Sequence, residues 1–286
     1  MPTKGEKDEF SGIETTGHEW DGIRELDNPL PRWWVWVWAI SIVWAIAYWI
    51  VMPAWPGLTG HTSGVIGYSQ RAIVAQRIDD AKTARGPIAA RVAAAPLDQI
   101  ERDPELLTFA LAAGASAFSV NCVQCHGSGG IGAKGFPALV DDAWIWGGTL
   151  NEIERTLKVG IRANHPETHD NQMPAFLTDE LLTEAEIRDV ARFVQSLSDG
   201  TKPRGDGAAL YADNCAVCHG ETGQGNTELG APRLSDSIWL YGGDLASIIE
   251  TISRSRAGVM PAWEDRLDTA TLRSLTVYVH ALGGGL

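Results

Sequence analysis

Two short stretches hold all four cysteines of the chain: Cys122-Val-Gln-Cys125-His126 and Cys215-Ala-Val-Cys218-His219. Two Cys-x-x-Cys pairs would suit disulfides or a zinc site. A histidine follows each pair at once, however, and that is the pattern of covalent c-type haem attachment. The spacing puts both sulfurs on one helical turn, facing one edge of a porphyrin, with the next histidine held under the iron. The expected cofactors are therefore two haem c groups, tethered through Cys122, Cys125, Cys215 and Cys218. His126 and His219 are the expected proximal ligands.

The opposite ligand must come from elsewhere. Met52 adjoins a long apolar run, which leaves Met173 and Met260, each followed by proline. Proline pushes the preceding residue towards extended backbone, so each methionine belongs in a loop that can reach an iron. A thioether opposite imidazole raises the reduction potential and suits an electron carrier. It also fills the sixth position, which disfavours substrate binding there. The competing role for a lone methionine is core packing. Whether each methionine serves its own copy's haem or the other is left open.

Further candidates surround these ligands. Pro137 and Pro232 follow the proximal histidines by 11 and 13 residues. A carbonyl from such a loop would accept the imidazole Nδ1–H and orient the ring; a plain turn proline is the alternative. Trp146 and Tyr241 suit haem propionates or simple packing. Arg155 and Arg254 hold matching positions where they would offset propionate charge or lie on a solvated helix face. His165 and His169 occupy a polar loop of the first copy only, as a replacement ligand, a metal site or an exposed loop.

The elements that position these residues come as a repeat. Gly114 and Phe118 precede Cys122, and Gly207 and Tyr211 precede Cys215, each pair on one helix face. The glycine permits a close helix crossing and the aromatic fills it. Phe136-Pro-Ala-Leu139, Trp146-Gly-Gly148, a helix from about Asn151 and Met173-Pro-Ala-Phe176 follow in one copy. Ala231-Pro-Arg-Leu234, Tyr241-Gly-Gly243, a helix from about Asp244 and Met260-Pro-Ala-Trp263 answer them in the other. Amphipathic helices over Thr183–Leu197 and Thr271–Leu282 close the copies, the first opening on a capping-box pattern, Thr183-Glu-Ala-Glu186.

Ahead of the repeat, 33–53 is apolar and uncharged, long enough at 1.5 Å per residue to cross a hydrocarbon core. Tryptophans crowd both its ends, as an aromatic belt would. The stretch is too long, and its leading segment too acidic, for a cleaved signal peptide. Arg32, Arg24, Lys7 and Lys4 precede it and nothing basic follows until Arg71, which favours a cytoplasmic N-terminus. The expected fold is all-α: one transmembrane helix and two tandem class I cytochrome c domains. The segments are an N-terminal cytoplasmic tail, 1–32; the span, 33–53; a linker or stalk, 54–104, with Ala-rich helices over Arg71–Ala84 and Pro87–Ala95; and haem domains 105–199 and 200–286. A net charge of −13 argues against nucleic acid and for basic protein partners.

The order of anchor, stalk and two haem domains resembles the dihaem subunit of cbb3-type cytochrome c oxidases, the CcoP or FixP family. The most telling stretch is Asp21-Gly-Ile-Arg-Glu-Leu-Asp-Asn-Pro-Leu-Pro-Arg-Trp-Trp34, leading into the span, with Pro53-Ala-Trp-Pro56 at its far end. The resemblance implies a single-pass protein of a bacterial inner membrane with periplasmic haem domains. It implies an electron-transfer subunit with no active site of its own. Electrons would come from a donor cytochrome c and go to the monohaem subunit, then to the catalytic haem-copper subunit, where oxygen is reduced and protons are pumped. An anchored shuttle, a dehydrogenase's cytochrome subunit, a dihaem peroxidase and a haem-based sensor are the alternatives.

Overall fold

A computed structural model describes residues 5–201 and 205–284; Lys4 and residues 202–204 of the linker lie outside the described residues. The chain divides into two units, Met1–Lys82 and Thr83–Leu286.

In the first unit the acidic tail is not featureless. Strands β1 (Thr15–Trp20) and β2 (Ile23–Leu26) pair antiparallel, with Trp20 opposite Ile23 and Glu19 opposite Arg24. Asp21 and Gly22 both have positive φ, 49° and 84°, as the two central residues of a type I′ hairpin require. Helix α1 (Arg32–Val51) follows, 20 residues with no buried side chain. It is the one described helix long and apolar enough to cross a membrane. Its last carbonyls are satisfied by the chain folding back: Val65 N–H donates to Ile50 O at 3.0 Å. Thr62 Oγ1 accepts from the Ala54 and Trp55 amides at 3.3 and 3.0 Å.

Helix α2 (Gln70–Ala94) is continuous, where the sequence suggested a break at Gly86-Pro87. Pro87 removes one N–H, and the Ala-rich flanks carry the helix across it. Helix α3 (Leu97–Arg102) leads to α4 (Pro104–Asn121), whose N-cap Asp103 accepts from the Glu105 and Leu106 amides. Then come α5 (Val123–His126), α6 (Leu150–Val159) and α7 (Glu184–Asp199). The second copy supplies α8 (Gly207–Asn214), α9 (Ala216–His219), α10 (Leu245–Arg254) and α11 (Thr269–His280).

The two copies of the repeat follow one another in sequence, but their closing helices are exchanged in space. Helix α11 packs on α4 and α6, while α7 packs on α8 and α10. Two side-chain details explain why. A Cβ on Gly114 would collide with the Ser274 carbonyl and Tyr278 of α11, and one on Gly207 with Asp189 and Phe193 of α7. Beside each contact sits an aromatic pair: Phe118 with Tyr278 at 5.4 Å and Tyr211 with Phe193 at 5.1 Å. The expected glycine-and-aromatic crossings exist, and each joins one copy to the other. Two cores result. One gathers Phe118, Ile153, Leu157, Leu272, Leu275 and Val279; the other gathers Ile187, Val190, Val194, Tyr211, Ile248 and Ile252.

Candidate functional site

Each Cys-x-x-Cys-His stretch is a single tight turn continuing the helix before it. Cys125 and His126 amides both donate to Cys122 O, at 3.1 and 2.9 Å; Cys218 and His219 amides donate to Cys215 O at the same distances. Gly127 and Gly220, with φ of 76° and 79°, end the turns where a side chain would be strained. The four cysteines are unbridged. Burial, with a smaller effect of the neighbouring thiol, pushes the Cys122 and Cys215 thiols up to about 11. Neither is a ready thiolate nucleophile. Among the described residues, no three His, Cys, Asp or Glu side chains converge to hold a metal ion, so the zinc alternative has no ligand set.

The two histidines are held alike. His126 Nδ1 lies 3.0 Å from Pro137 O and His219 Nδ1 2.9 Å from Pro232 O. A carbonyl can only accept, so in both rings Nδ1 carries the proton and Nε2 keeps its lone pair. Burial holds both imidazoles below the usual histidine range, and the bond to the proline carbonyl offsets part of that shift. Both rings are therefore neutral, oriented bases.

The methionines stand in the exchanged cores. Met260 packs against the core of Phe118 and Leu157, as does Cys122 of the first Cys-x-x-Cys-His turn. Met173 packs against the core of Tyr211 and Ile248, as does Cys215 of the second. Backbone bonds pin both loops. Ile161 and Met260 exchange N–H···O bonds of 2.9 and 3.0 Å, and Trp263 N–H donates to Leu157 O at 3.0 Å. Phe176 N–H donates to Ile252 O at 3.1 Å, and Ser255 Oγ donates to Met173 O. The devices are equivalent: Gly160 caps α6 at φ 69° and Ser255 caps α10 at φ 52°, each turning back under the other copy's methionine loop.

A continuous cavity of about 540 Å³ runs through both cores, lined by both Cys-x-x-Cys-His turns, Met173, Met260, Pro137 and Pro232. Its chemistry fits haem. It offers paired sulfurs at one edge, an imidazole Nε2 and a thioether as axial donors, and largely apolar walls for a macrocycle. Trp146 and Tyr241 line it as well. Each also braces the other half, since the Trp146 ring lies against Gly230 and the Tyr241 ring against Gly135.

Arg155 and Arg254 are exposed and do not line the cavity. Arg162 and Arg256, which sequence reasoning missed, do. Arg162 Nε donates to Gly258 O at 2.7 Å, and the Arg256 guanidinium sits 4.7 Å over the Tyr241 ring. Both lie just beyond a helix end, where matching positions along helices gives no signal. The loop histidines are engaged away from the axial positions. His169 stacks on Trp146 at 4.2 Å and its Nε2 lies 3.2 Å from Thr156 Oγ1; His165 pairs with Glu264 at 3.5 Å.

Comparison with known proteins agrees with this geometry. Residues 12–59 match the family described as the N-terminal domain of cytochrome oxidase-cbb3, FixP; 111–198 match cytochrome c; and 203–279 match cbb3-type cytochrome c oxidase, subunit III. The cbb3-type cytochrome c oxidase subunit FixP of Bradyrhizobium sp. (strain ORS 278) is 53% identical, with 100% of each chain aligned. FixP of Azorhizobium caulinodans is 52% identical over 97% of this chain and 96% of its own. The subunit CcoP of Azospirillum brasilense is 48% identical over 98% of both. Two cytochrome c regions imply c-type haem, the anchor helix implies a membrane protein, and full-length identity near half leaves one assignment: this chain belongs to the FixP/CcoP family of cbb3-type cytochrome c oxidase subunits.

Proposed function

We propose that the chain carries two haem c groups and passes single electrons from a donor cytochrome c towards the oxygen-reducing subunit of a cbb3-type oxidase, through its monohaem subunit. Bound haem supplies a one-electron Fe(III)/Fe(II) couple; the chain supplies tethers, axial donors and exclusion of water. Cys122 and Cys125 would tether one haem and Cys215 and Cys218 the second. His126 and His219 are proximal ligands, oriented by the Pro137 and Pro232 carbonyls. Met260 would hold the iron of the haem that His126 binds, and Met173 that of the haem that His219 binds. A methionine on each distal side closes the sixth position and raises the potential, so both sites exchange electrons and hold no substrate. The N-terminus is cytoplasmic and the haem domains periplasmic in a bacterial inner membrane, following the bias of Arg24, Arg32 and Lys7.

The observation that supports this reading is that each methionine packs against the same core as the other copy's cysteine turn. It is tested where one haem remains. In a Cys215→Ala/Cys218→Ala background, Met260→Ala should abolish the thioether absorption band at the red edge of the visible spectrum. Met173→Ala should leave it in place. The opposite result would mean that the ligands are not exchanged.

A further inference from the structure

The hairpin ahead of the membrane helix has no core of its own. Between residues 5 and 31 only Thr15 is buried. Trp20 and Ile23, cross-strand partners beside the turn, are 66% and 71% exposed, and Leu26 is 39% exposed. A third segment adds to the ladder, with Thr15 N–H donating to Glu6 O and Asp8 N–H to Ile13 O, both at 2.9 Å. It covers no apolar face. A ladder this small needs packing against something else to be stable in water, and an exposed aromatic beside a β-branched residue is a surface for a partner.

Charge selects the partner. Residues 5–31 hold eight Asp and Glu against Lys7 and Arg24. The anionic cytoplasmic leaflet would repel such a segment, whereas cytoplasmic loops of polytopic membrane proteins are rich in Lys and Arg. Reach agrees: from Leu26 to Arg32 the chain spans at most about 20 Å, so the hairpin stays near the membrane surface. The region matched as the oxidase family's N-terminal domain, 12–59, takes in hairpin and span together and stops short of both haem copies.

We propose that the β1–β2 hairpin is an assembly contact: Trp20 and Ile23 anchor it on the basic cytoplasmic face of a polytopic subunit of the same oxidase, and the surrounding carboxylates pair with that face. The contact rests on the cytoplasmic placement of the N-terminus. The test uses the full chain, expressed with its oxidase in bacterial membranes. Trp20→Ser/Ile23→Ser should leave covalent haem staining of the membrane-bound chain unchanged. The fraction co-migrating with a polytopic subunit in mild detergent should fall by roughly tenfold, as loss of an aromatic anchor does. Asp21→Lys/Glu25→Lys should lower the same fraction and make the remainder fall further as salt is raised. Full co-migration of both variants, or loss of haem staining together with co-migration, overturns the contact. Placement is read separately with Ser11→Cys and a membrane-impermeant maleimide. Labelling only in inverted vesicles supports the cytoplasmic reading, and labelling in intact cells overturns it, whatever the yield of complex.

Discussion

At the scale of residues, the site depends on neutral imidazoles whose lone pairs are aimed by a backbone carbonyl. Burial depresses the pKa of His126 and His219. On the proposed reading, the methionine thioether raises the potential. Met260→His should lower one of two potentials by on the order of 100 mV, within the roughly 0.8 V that axial ligands command. The haem affected should be the one tethered at Cys122 and Cys125, as a redox titration of each single-haem background would report.

At the scale of elements, capping and close crossings hold the ligand loops. Thr149 and Thr183 each form a reciprocal capping box, with Glu152 and Glu186, and Thr183→Ala should cost about 1 kcal/mol in denaturant unfolding. The expected box at Thr183 was legible because its pattern is local. Gly207 matters more. A side chain there meets the Asp189 carbonyl of α7, so Gly207→Val should cost about 1–3 kcal/mol by overpacking. It should also weaken the thioether band of the haem at His219, because α7 follows the Met173 loop. The β1–β2 hairpin went unread, although Asp21-Gly22 between Trp20 and Ile23 is a recognisable turn signal. The acidic composition around it pointed to a tail, and its partner surface lies outside the chain.

At the scale of the whole molecule, exchange of closing helices makes the two copies one folding unit. Residues 200–286 alone carry Cys215, Cys218 and His219 but lack α7 and Met173. Expressed separately, that fragment should show low helicity by circular dichroism and no thioether band. The pair should recover both signals only when co-expressed with the first copy. Independent folding of the fragment, with the band present, would contradict the exchange. The joint cavity, and the reciprocal seating of Trp146 on Gly230 and Tyr241 on Gly135, point to the same interdependence.

The two Cys-x-x-Cys-His turns, the loops that carry Met173 and Met260, the repeat and the long apolar helix were all readable from the amino-acid order. Each is encoded by contacts within a few residues or by an uninterrupted apolar run. Which copy each closing helix packs on was not readable. Both copies carry the same motifs in the same order, so local spacing is equally satisfied by packing within a copy or across the pair. The choice is made by Gly114 against α11 and Gly207 against α7, contacts between residues far apart along the chain. The same reason hid Arg162 and Arg256, whose places at the cavity wall depend on where loops from the two halves meet.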